Sequence, residues 1–223
     1  PEFSVSQYRK MASEAIEDVL ERGKTPIVVG GSGLYVNALT FPLGFAVPKD
    51  EEARKRMEAL YDLDANAAFA RLALIDPVIA SRLHPNDRKR IVRALEVFEC
   101  SGKPLSSYGN DFQNTAGGDA PFEPLLFGLD MDRELLYRRI DQRVDLMIEH
   151  GLLAEARNIY DRGYSRSLPA MQSIGYRQLF EVFDEKSTLE QAVEQIKLDT
   201  RHFAKRQLTW FRRDKRIRWS DAS

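Results

Sequence analysis

Residues 25–40, TPIVVGGSGLYVNALT, decide the fold class of this chain. TPIVVG is a short apolar run rich in β-branched residues, which predicts a buried strand. GGSG then turns the chain, and LYVNALT predicts a helix. The preceding stretch, SVSQYRKMASEAIEDVLERG, has apolar residues at helical spacing and ends in a glycine typical of a helix C-terminus. The order helix, strand, glycine turn, helix predicts an α/β fold with parallel strands.

The glycine turn at residues 30–33 is also a candidate anion site. A turn between a strand and a helix can present backbone N–H groups and the Ser32 hydroxyl to an anion. It is not the lysine-containing phosphate loop of nucleotide-binding proteins, because the lysine is absent. A plain strand-to-helix turn explains the same residues, and the pattern alone favours that alternative.

The residues that follow suggest an interrupted core. Between residues 50 and 102 only helical patterns occur, and residues 106–121 are polar and glycine-rich, which predicts a loop. PLLFGLDM, residues 124–131, returns to strand character, and the remainder is helical. We therefore predict a mostly helical α/β chain whose parallel-stranded core comprises residues 1–46 and 123–223. A helical insertion at residues 47–122 interrupts that core.

Composition excludes several classes of protein. The 223 residues carry a formal net charge of −1, and no apolar run approaches the ~18 residues of a membrane span. We therefore expect no membrane partner. The single cysteine excludes an internal disulfide and suits a reducing cytoplasm, and the histidines show no metal-ligand spacing. We expect a cytoplasmic monomer.

Positive charge is nevertheless concentrated in two patches. Residues 201–218, which include RHFAKRQLTWFRR, hold eight Lys or Arg and one acid, and RKRIVR at residues 88–93 holds four cations and no acid. Such patches favour contact with a polyanion such as a nucleic acid. For residues 88–93 alone, a solvated helix face is the favoured alternative. In the longer patch, Phe203 and Trp210 are predicted to anchor the helix in a core while its cations point outward.

The segment RRIDQRVD, residues 138–145, places two arginines on one helical face. Arg139 and Arg143 are four residues apart, and two guanidinium groups in that arrangement can clamp a diphosphate. Pairing with Asp141, with Asp145 or with a neighbouring helix explains the spacing equally well.

The segment AMQSIGYRQ, residues 170–178, is unusual for a helix because Gly175 interrupts an apolar pattern. The glycine suggests that something approaches closely there. Gln172, Tyr176, Arg177 and Gln178 offer groups that bind base edges or stack on bases. A helix with a packing glycine is the alternative.

Four stretches together resemble one family. PIVVGGSGLYVNAL, DPVIASRLHPNDRKRIVRALEVFECSGKPLS, AMQSIGYRQL and TRHFAKRQLTWFR, in this order and spacing, closely resemble the bacterial tRNA dimethylallyltransferases. The resemblance covers essentially the whole chain. It implies transfer of a dimethylallyl group from dimethylallyl diphosphate to N6 of the adenosine 3′ of the anticodon. It also implies a P-loop-NTPase-like core with a helical insertion, in agreement with the interruption above.

The resemblance assigns roles to residues of this sequence. Arg143 matches the arginine on the diphosphate, whose charge Mg²⁺ would share. The tRNA anticodon stem-loop would be met by Ser32 and Arg54, by the insertion residues Lys89, Arg90 and Arg93, by the loop residues Leu168, Met171, Gln172 and Ser173, and by the helix residues Arg201, Lys205, Arg206 and Gln207.

The sequence also departs from the family pattern. Members carry a glycine-rich phosphate loop with a lysine, followed by an aspartate that acts as the general base, and the 223 residues contain neither in the expected order. We therefore expect this chain to be a catalytically inactive fragment by itself, with apolar surface left uncovered. Ser32 stands where a threonine is usual, and its hydroxyl preserves the role.

Three other functions stay open. An isopentenyltransferase acting on free adenine nucleotides is the closest, although it has no need of the basic insertion helix. A non-catalytic RNA-binding module would keep the RNA-facing parts and ignore the diphosphate. A structural α/β domain with charged helices would show no specific affinity for tRNA.

Overall fold

The structure is a computed structural model, and it describes residues 3–41, 50–108 and 122–222. The chain divides into two compact units, residues 1–124 and residues 125–223. The assignment of residues 1–46 and 123–223 to a single domain stays a prediction. Of the loop predicted at residues 106–121, residues 109–121 lie outside the described residues, and residues 106–108 belong to a 3₁₀ turn.

The first unit begins with two helices, α1 (Val5–Glu21) and α2 (Gly33–Thr40). Ser4 and Gln7 form a capping box at the start of α1, as expected for Ser followed three residues later by Gln. The rings of Tyr8 and Tyr35 stack 4.1 Å apart and join the two helices. Both helices confirm the sequence prediction.

The predicted strand between these helices is wrong. Residues 24–30 belong to no helix or strand, and the side chains of Ile27 and Val29 are 84% and 89% exposed. A strand requires a neighbour that satisfies its N–H and C=O groups. The described residues of the first unit include no strand that could serve as that neighbour.

The rest of the first unit is a helical cluster, as predicted. Its elements are α3 (Glu51–Leu63), α4 (Ala65–Ile75), α5 (Pro77–Ala80), α6 (Arg88–Ser101) and a 3₁₀ turn (Leu105–Tyr108). An aspartate caps the N-terminus of each α-helix in this cluster. Met57, Leu72, Ile91 and Leu95 lie in its core. Asp76 is buried there and accepts the Ser106 backbone N–H at 2.8 Å.

The described residues of the second unit form two strands, four α-helices and one 3₁₀ turn. They are β1 (Phe127–Asp130), α7 (Arg133–Glu149), α8 (Leu152–Asp161), a 3₁₀ turn (Pro169–Gln172), α9 (Tyr176–Phe183), α10 (Leu189–Phe211) and β2 (Arg218–Asp221). Val144, Ala156, Leu179 and Ile196 form the centre of its core. Thr188 and Gln191 form the capping box of α10.

Strands β1 and β2 form a parallel pair in which Phe127 lies opposite Arg218. A Cβ atom on Gly128 would lie 2.7 Å from the Trp219 ring, so glycine is required for the approach of that ring. The strand predicted at residues 124–131 is confirmed at β1, whereas β2 was not predicted. The mostly helical α/β fold with parallel strands is confirmed.

Candidate nucleic-acid interface

Only some of the cations at residues 88–93 face solvent without a partner. Asp62 binds Arg88 through two hydrogen bonds, from Nε at 2.8 Å and from Nη2 at 2.7 Å. These bonds hold the pKa of the Asp62 carboxyl below its ordinary value. Arg90 lies 3.2 Å from Asp87. Lys89 is exposed and has no polar partner among the described residues, so it is the cation in this patch most suited to a phosphate.

Arg54 and Arg93 lie against one buried acid. The Glu96 carboxylate is fully buried and lies 2.6 Å from Arg93 Nη1 and 3.4 Å from Arg54 Nε. Helices α3 and α6 thereby bring two predicted RNA contacts together in the same unit. Sequence spacing did not reveal this acid, because its partner Arg54 is distant in the chain.

Ser32 lies immediately before α2, where its extended backbone begins the helix. Its hydroxyl does not cap the helix, and the residue is exposed. Its carbonyl oxygen accepts the N–H groups of Tyr35 and Val36 at 2.9 and 3.0 Å. The hydroxyl therefore remains available to a ligand.

In the second unit, the acids next to Arg139 and Arg143 pair with α10 and not with these two arginines. Arg201 Nη1 donates to both Asp141 oxygens at 2.9 and 2.8 Å, and Lys197 Nζ lies 2.8 Å from Asp145. The two acids on α7 are therefore engaged by α10. Arg139 and Arg143 are exposed, and neither pairs with a described residue. Pairing with Asp141 or Asp145, one alternative from the sequence, is wrong.

Helix α10 is packed at its first half and cationic at its second half. Ala192 and Ile196 are buried, whereas Phe203 is 44% exposed, so the prediction that Phe203 anchors the helix in a core is wrong. Lys205 and Arg206 are exposed, and the Arg206 guanidinium lies 6.0 Å from the Phe203 ring. Arg201 is half-buried against α7 rather than outward-facing.

Other cations near the C-terminus are paired. Arg212 Nη2 lies 3.0 Å from Asp130, and Arg216 Nη2 lies 2.7 Å from Asp214. Gln207 is half-buried and already has an interaction partner. Lys205 and Arg206 are therefore the α10 side chains among the predicted RNA contacts that remain directed to solvent.

Hydrogen bonds to Asp184 anchor the loop before α9. Arg166 donates two hydrogen bonds of 2.6 Å to Asp184, and the Tyr160 hydroxyl donates a third of 2.7 Å. These bonds, that from Arg166 first, hold the pKa of Asp184 well below its ordinary value. The Gln172 amide donates to the Arg166 carbonyl at 3.4 Å.

The exposed face of this loop carries the predicted RNA contacts. Leu168, Gln172 and Ser173 are exposed, and half-buried Met171 lines a cavity of about 290 Å³ together with Tyr160 and Phe180. The structure thus brings the four predicted loop residues to one short turn.

The residues after the loop have structural roles that the sequence did not distinguish. Gln178 is buried, accepts the Gly175 N–H at 2.9 Å and donates to Asp199 at 2.7 Å. Arg177 donates to the same Asp199 oxygen at 2.7 Å, and Tyr176 hydrogen-bonds to Glu155. The base-edge interpretation therefore does not hold for Gln178.

Glycine is needed at position 175 because of the backbone conformation there and not because of close packing. Its φ is +105°, and the nearest atom to an added Cβ would be 3.9 Å away. The predicted close approach is wrong, because a conformation that other residues rarely adopt explains the glycine.

Metal-ligand clusters and membrane-spanning helices are both absent from the part of the chain that the structure describes. Within residues 3–41, 50–108 and 122–222, no three His, Cys, Asp or Glu side chains cluster as metal ligands. Over the same residues, no helix combines the length and apolarity needed to cross a bilayer.

Comparison with known proteins identifies the family. The model of the IPP transferase family matches residues 1–214. The chain therefore belongs to the IPP transferase family.

Individual relatives agree with this assignment. A tRNA dimethylallyltransferase of Pelotomaculum thermopropionicum is 46% identical over 98% of this chain and 68% of that protein. The solved tRNA isopentenylpyrophosphate transferase of Bacillus halodurans is 38% identical, with a TM-score of 0.64 over 99% of this chain and 68% of that one. A eukaryotic dimethylallyltransferase whose structures describe its action on tRNA is 30% identical, with a TM-score of 0.75 over 100% of this chain and 57% of that one.

Proposed function

We propose that this chain functions in tRNA dimethylallyl transfer. In that reaction, a dimethylallyl group moves from dimethylallyl diphosphate to N6 of the adenosine 3′ of the anticodon. The family and its named relatives support tRNA prenylation. The observation on this chain that carries the proposal is the pair Arg139 and Arg143. Both are exposed on α7 and unpaired among the described residues, while the acids beside them bind α10.

The pair suits a diphosphate leaving group. Attack by the adenine amine on the allylic carbon leaves a diphosphate whose charge must be neutralised as the bond breaks. Two guanidinium groups on one helix face can donate several charge-assisted hydrogen bonds to its oxygens. Arg143 is the proposed diphosphate ligand, and Arg139 lies one turn away on the same face.

The RNA side of the proposal rests on three sets of exposed groups. They are Lys89 in the insertion, Lys205 and Arg206 on α10, and the turn at residues 168–173. The target adenosine must leave the anticodon stack to react, and cations that hold the flanking phosphates stabilise the strand in that state.

Magnesium enters the proposal only as a companion of the diphosphate. Diphosphate oxygens and water are ligands that Mg²⁺ readily accepts, so the ion would accompany the diphosphate. Its role would be to neutralise phosphate charge. A cytoplasmic location and a monomeric state stay predictions.

Filter binding of an anticodon stem-loop RNA tests the proposal. The 223-residue chain is titrated across salt, with and without dimethylallyl diphosphate. We expect the logarithm of affinity to fall with the logarithm of salt with a slope of about −2 to −3, from the few unpaired cations. We also expect dimethylallyl diphosphate to strengthen binding. A steep slope, with an affinity that does not change when dimethylallyl diphosphate is added, would instead support a non-catalytic RNA-binding module.

Two variants localise the diphosphate. Arg143→Ala is expected to retain RNA binding and lose the response to dimethylallyl diphosphate. Arg138→Ala is the matched control, because Arg138 is an exposed arginine of the same helix on a different face. A response that survives Arg143→Ala contradicts the proposed ligand. Binding of adenosine monophosphate by a chain that does not bind the stem-loop RNA would support the alternative of an enzyme that acts on free adenine nucleotides.

Catalytic inactivity of the 223-residue polypeptide also stays a prediction. Assay of prenyl transfer to the same RNA with labelled dimethylallyl diphosphate checks it directly. Transfer above the level of the Arg143→Ala variant would refute it.

A further inference from the structure

A buried carboxylate lies beneath the insertion's arginines. Glu96 is on α6 between Leu95 and Val97, in a helix whose neighbouring residues are core residues, and its side chain is fully buried. Burying a carboxylate without partners is strongly unfavourable. Contacts between the Glu96 carboxylate and the groups that compensate its charge are therefore strongly favoured.

Three donors from two helices compensate the charge. Glu96 Oε1 accepts Arg93 Nη1 at 2.6 Å and the Asp50 backbone N–H at 3.2 Å. Glu96 Oε2 lies 3.4 Å from Arg54 Nε, and neither of these two atoms has a well-aligned hydrogen-bond partner. The Oε2–Nε contact is thus an ion pair that a small adjustment of Arg54 would improve.

The two arginines are held with only part of each side chain at the surface. The side chains of Arg54 and Arg93 are 29% and 31% exposed. Two guanidinium groups therefore face the single Glu96 carboxylate, an excess of one positive charge among these three side chains. The arrangement therefore presents positive charge to solvent while restricting the arginine rotamers.

We propose that Glu96 is a positioning residue for RNA binding, which holds Arg54 and Arg93 in the orientation that meets the phosphates of the anticodon stem-loop. This inference rests on the proposed function. Preorganisation reduces the side-chain entropy that the arginines lose when RNA binds. Removing the carboxylate would free them, so that affinity falls even though a negative charge has been removed from the RNA-binding unit.

The alternative is that Glu96 only stabilises the fold, and Asp76 provides the matched control. Asp76 is also a buried acid in the same helical cluster, where it accepts the Ile79 and Ser106 backbone N–H groups. It has no described contact with an arginine. Asp76→Asn therefore reports the effect of neutralising a buried acid without disturbing Arg54 or Arg93.

The test measures stem-loop RNA affinity of Glu96→Gln and Asp76→Asn, each at a temperature where circular dichroism shows the native fold. Glutamine keeps the shape of glutamate and an oxygen acceptor for Asp50, but loses the charge. We expect Glu96→Gln to raise the Kd about three- to tenfold and Asp76→Asn to leave it within about twofold. In an Arg54→Ala/Arg93→Ala background, we expect Glu96→Gln to add nothing, because the residues that it positions are gone.

Three results would overturn the inference. An unchanged or stronger affinity of Glu96→Gln overturns the inference while leaving the proposed function intact. So does an equal loss in the Arg54→Ala/Arg93→Ala background. Absence of RNA binding by the unmodified chain overturns the proposed function and the inference with it.

Arg54→Lys decides the matter if Glu96→Gln does not fold. Lysine keeps the positive charge but lacks the Nε edge that faces Glu96 Oε2. If positioning matters, Arg54→Lys loses nearly as much RNA affinity as Arg54→Ala. Wild-type affinity of Arg54→Lys would overturn the inference.

Discussion

At the scale of single residues, the position of acids determines which cations remain for a ligand. Arg88 and Lys89 are adjacent in sequence, yet Arg88 is bound by Asp62 and Lys89 has no partner among the described residues. On α7, Asp141 and Asp145 pair with α10 and leave Arg143 exposed. The chemistry of each cation thus depends on an acid that lies elsewhere in the fold.

Gly175 provides a prediction at this scale. Gly175→Ala should lower the free energy of unfolding by about 1–3 kcal/mol, because alanine must adopt a φ of +105°. Urea denaturation of the purified chain measures the change. Gly30→Ala is the control, since Gly30 has no positive φ and nothing lies within 4 Å of an added Cβ. An equal loss in both variants would contradict the backbone explanation.

Sequence patterns predicted which residue types would matter but not their partners. Local spacing placed Lys89, Arg143 and Lys205 on helices correctly, because helical periodicity depends on residues a few positions apart. It could not distinguish exposed Arg143 from paired Arg201, because the Asp141 that decides between them is sixty residues from Arg201. Glu96 was missed for the same reason, since no local pattern marks a buried acid.

At the scale of elements, α10 combines two tasks along its length. Its first half packs Ala192 and Ile196 into the second unit's core, and its second half presents Lys205 and Arg206. Arg201 lies at the transition and binds α7 through Asp141. The helix therefore fixes the orientation of its own cations by packing and by its ion pairs with α7.

This division predicts different effects for two neighbouring cations. Arg201→Ala should reduce the free energy of unfolding by about 1 kcal/mol, because it removes a partly exposed charged pair between helices. Lys205→Ala should leave stability unchanged and reduce the salt slope of RNA binding by about 1, since it removes one phosphate contact.

Thermal denaturation and filter binding of both variants check this pair of outcomes. A stability loss for Lys205→Ala equal to that of Arg201→Ala would contradict the division of α10.

The segment at residues 24–30, which forms no strand, shows the limit of prediction for elements. Its apolar, β-branched residues have strong strand propensity, but propensity becomes a strand only when a neighbour accepts its hydrogen bonds. The stretch around β1 had similar residues and formed a strand, because β2 pairs with it. Pairing partners distant in the chain are what local patterns do not contain.

At the scale of the whole molecule, both units expose segments rich in apolar residues. Ile27 and Val29 belong to the first unit, and Leu125, Phe127 and Leu129 belong to the second. Contiguous exposed apolar residues of this kind are typical of surfaces that bind another polypeptide or a ligand.

Exposure of these residues leads to a whole-molecule prediction. Val29→Thr and Leu129→Thr should each change the free energy of unfolding by less than about 0.5 kcal/mol, because both side chains already lie in water. Both should lower the fluorescence of a hydrophobic dye bound to the native chain. Leu72→Ala, at a fully buried position, should cost about 2–5 kcal/mol. A loss of that size for Val29→Thr would show that the segment is covered.

The parallel pair of β1 and β2 has a consequence for how the second unit forms. All of α7, α8, α9 and α10 lies between the two strands in the chain. Bringing the strands together closes a long loop, whose entropic cost is offset only once the intervening helices are compact. Folding of this unit should therefore proceed from the helices outward, with the ladder of strand hydrogen bonds assembled last.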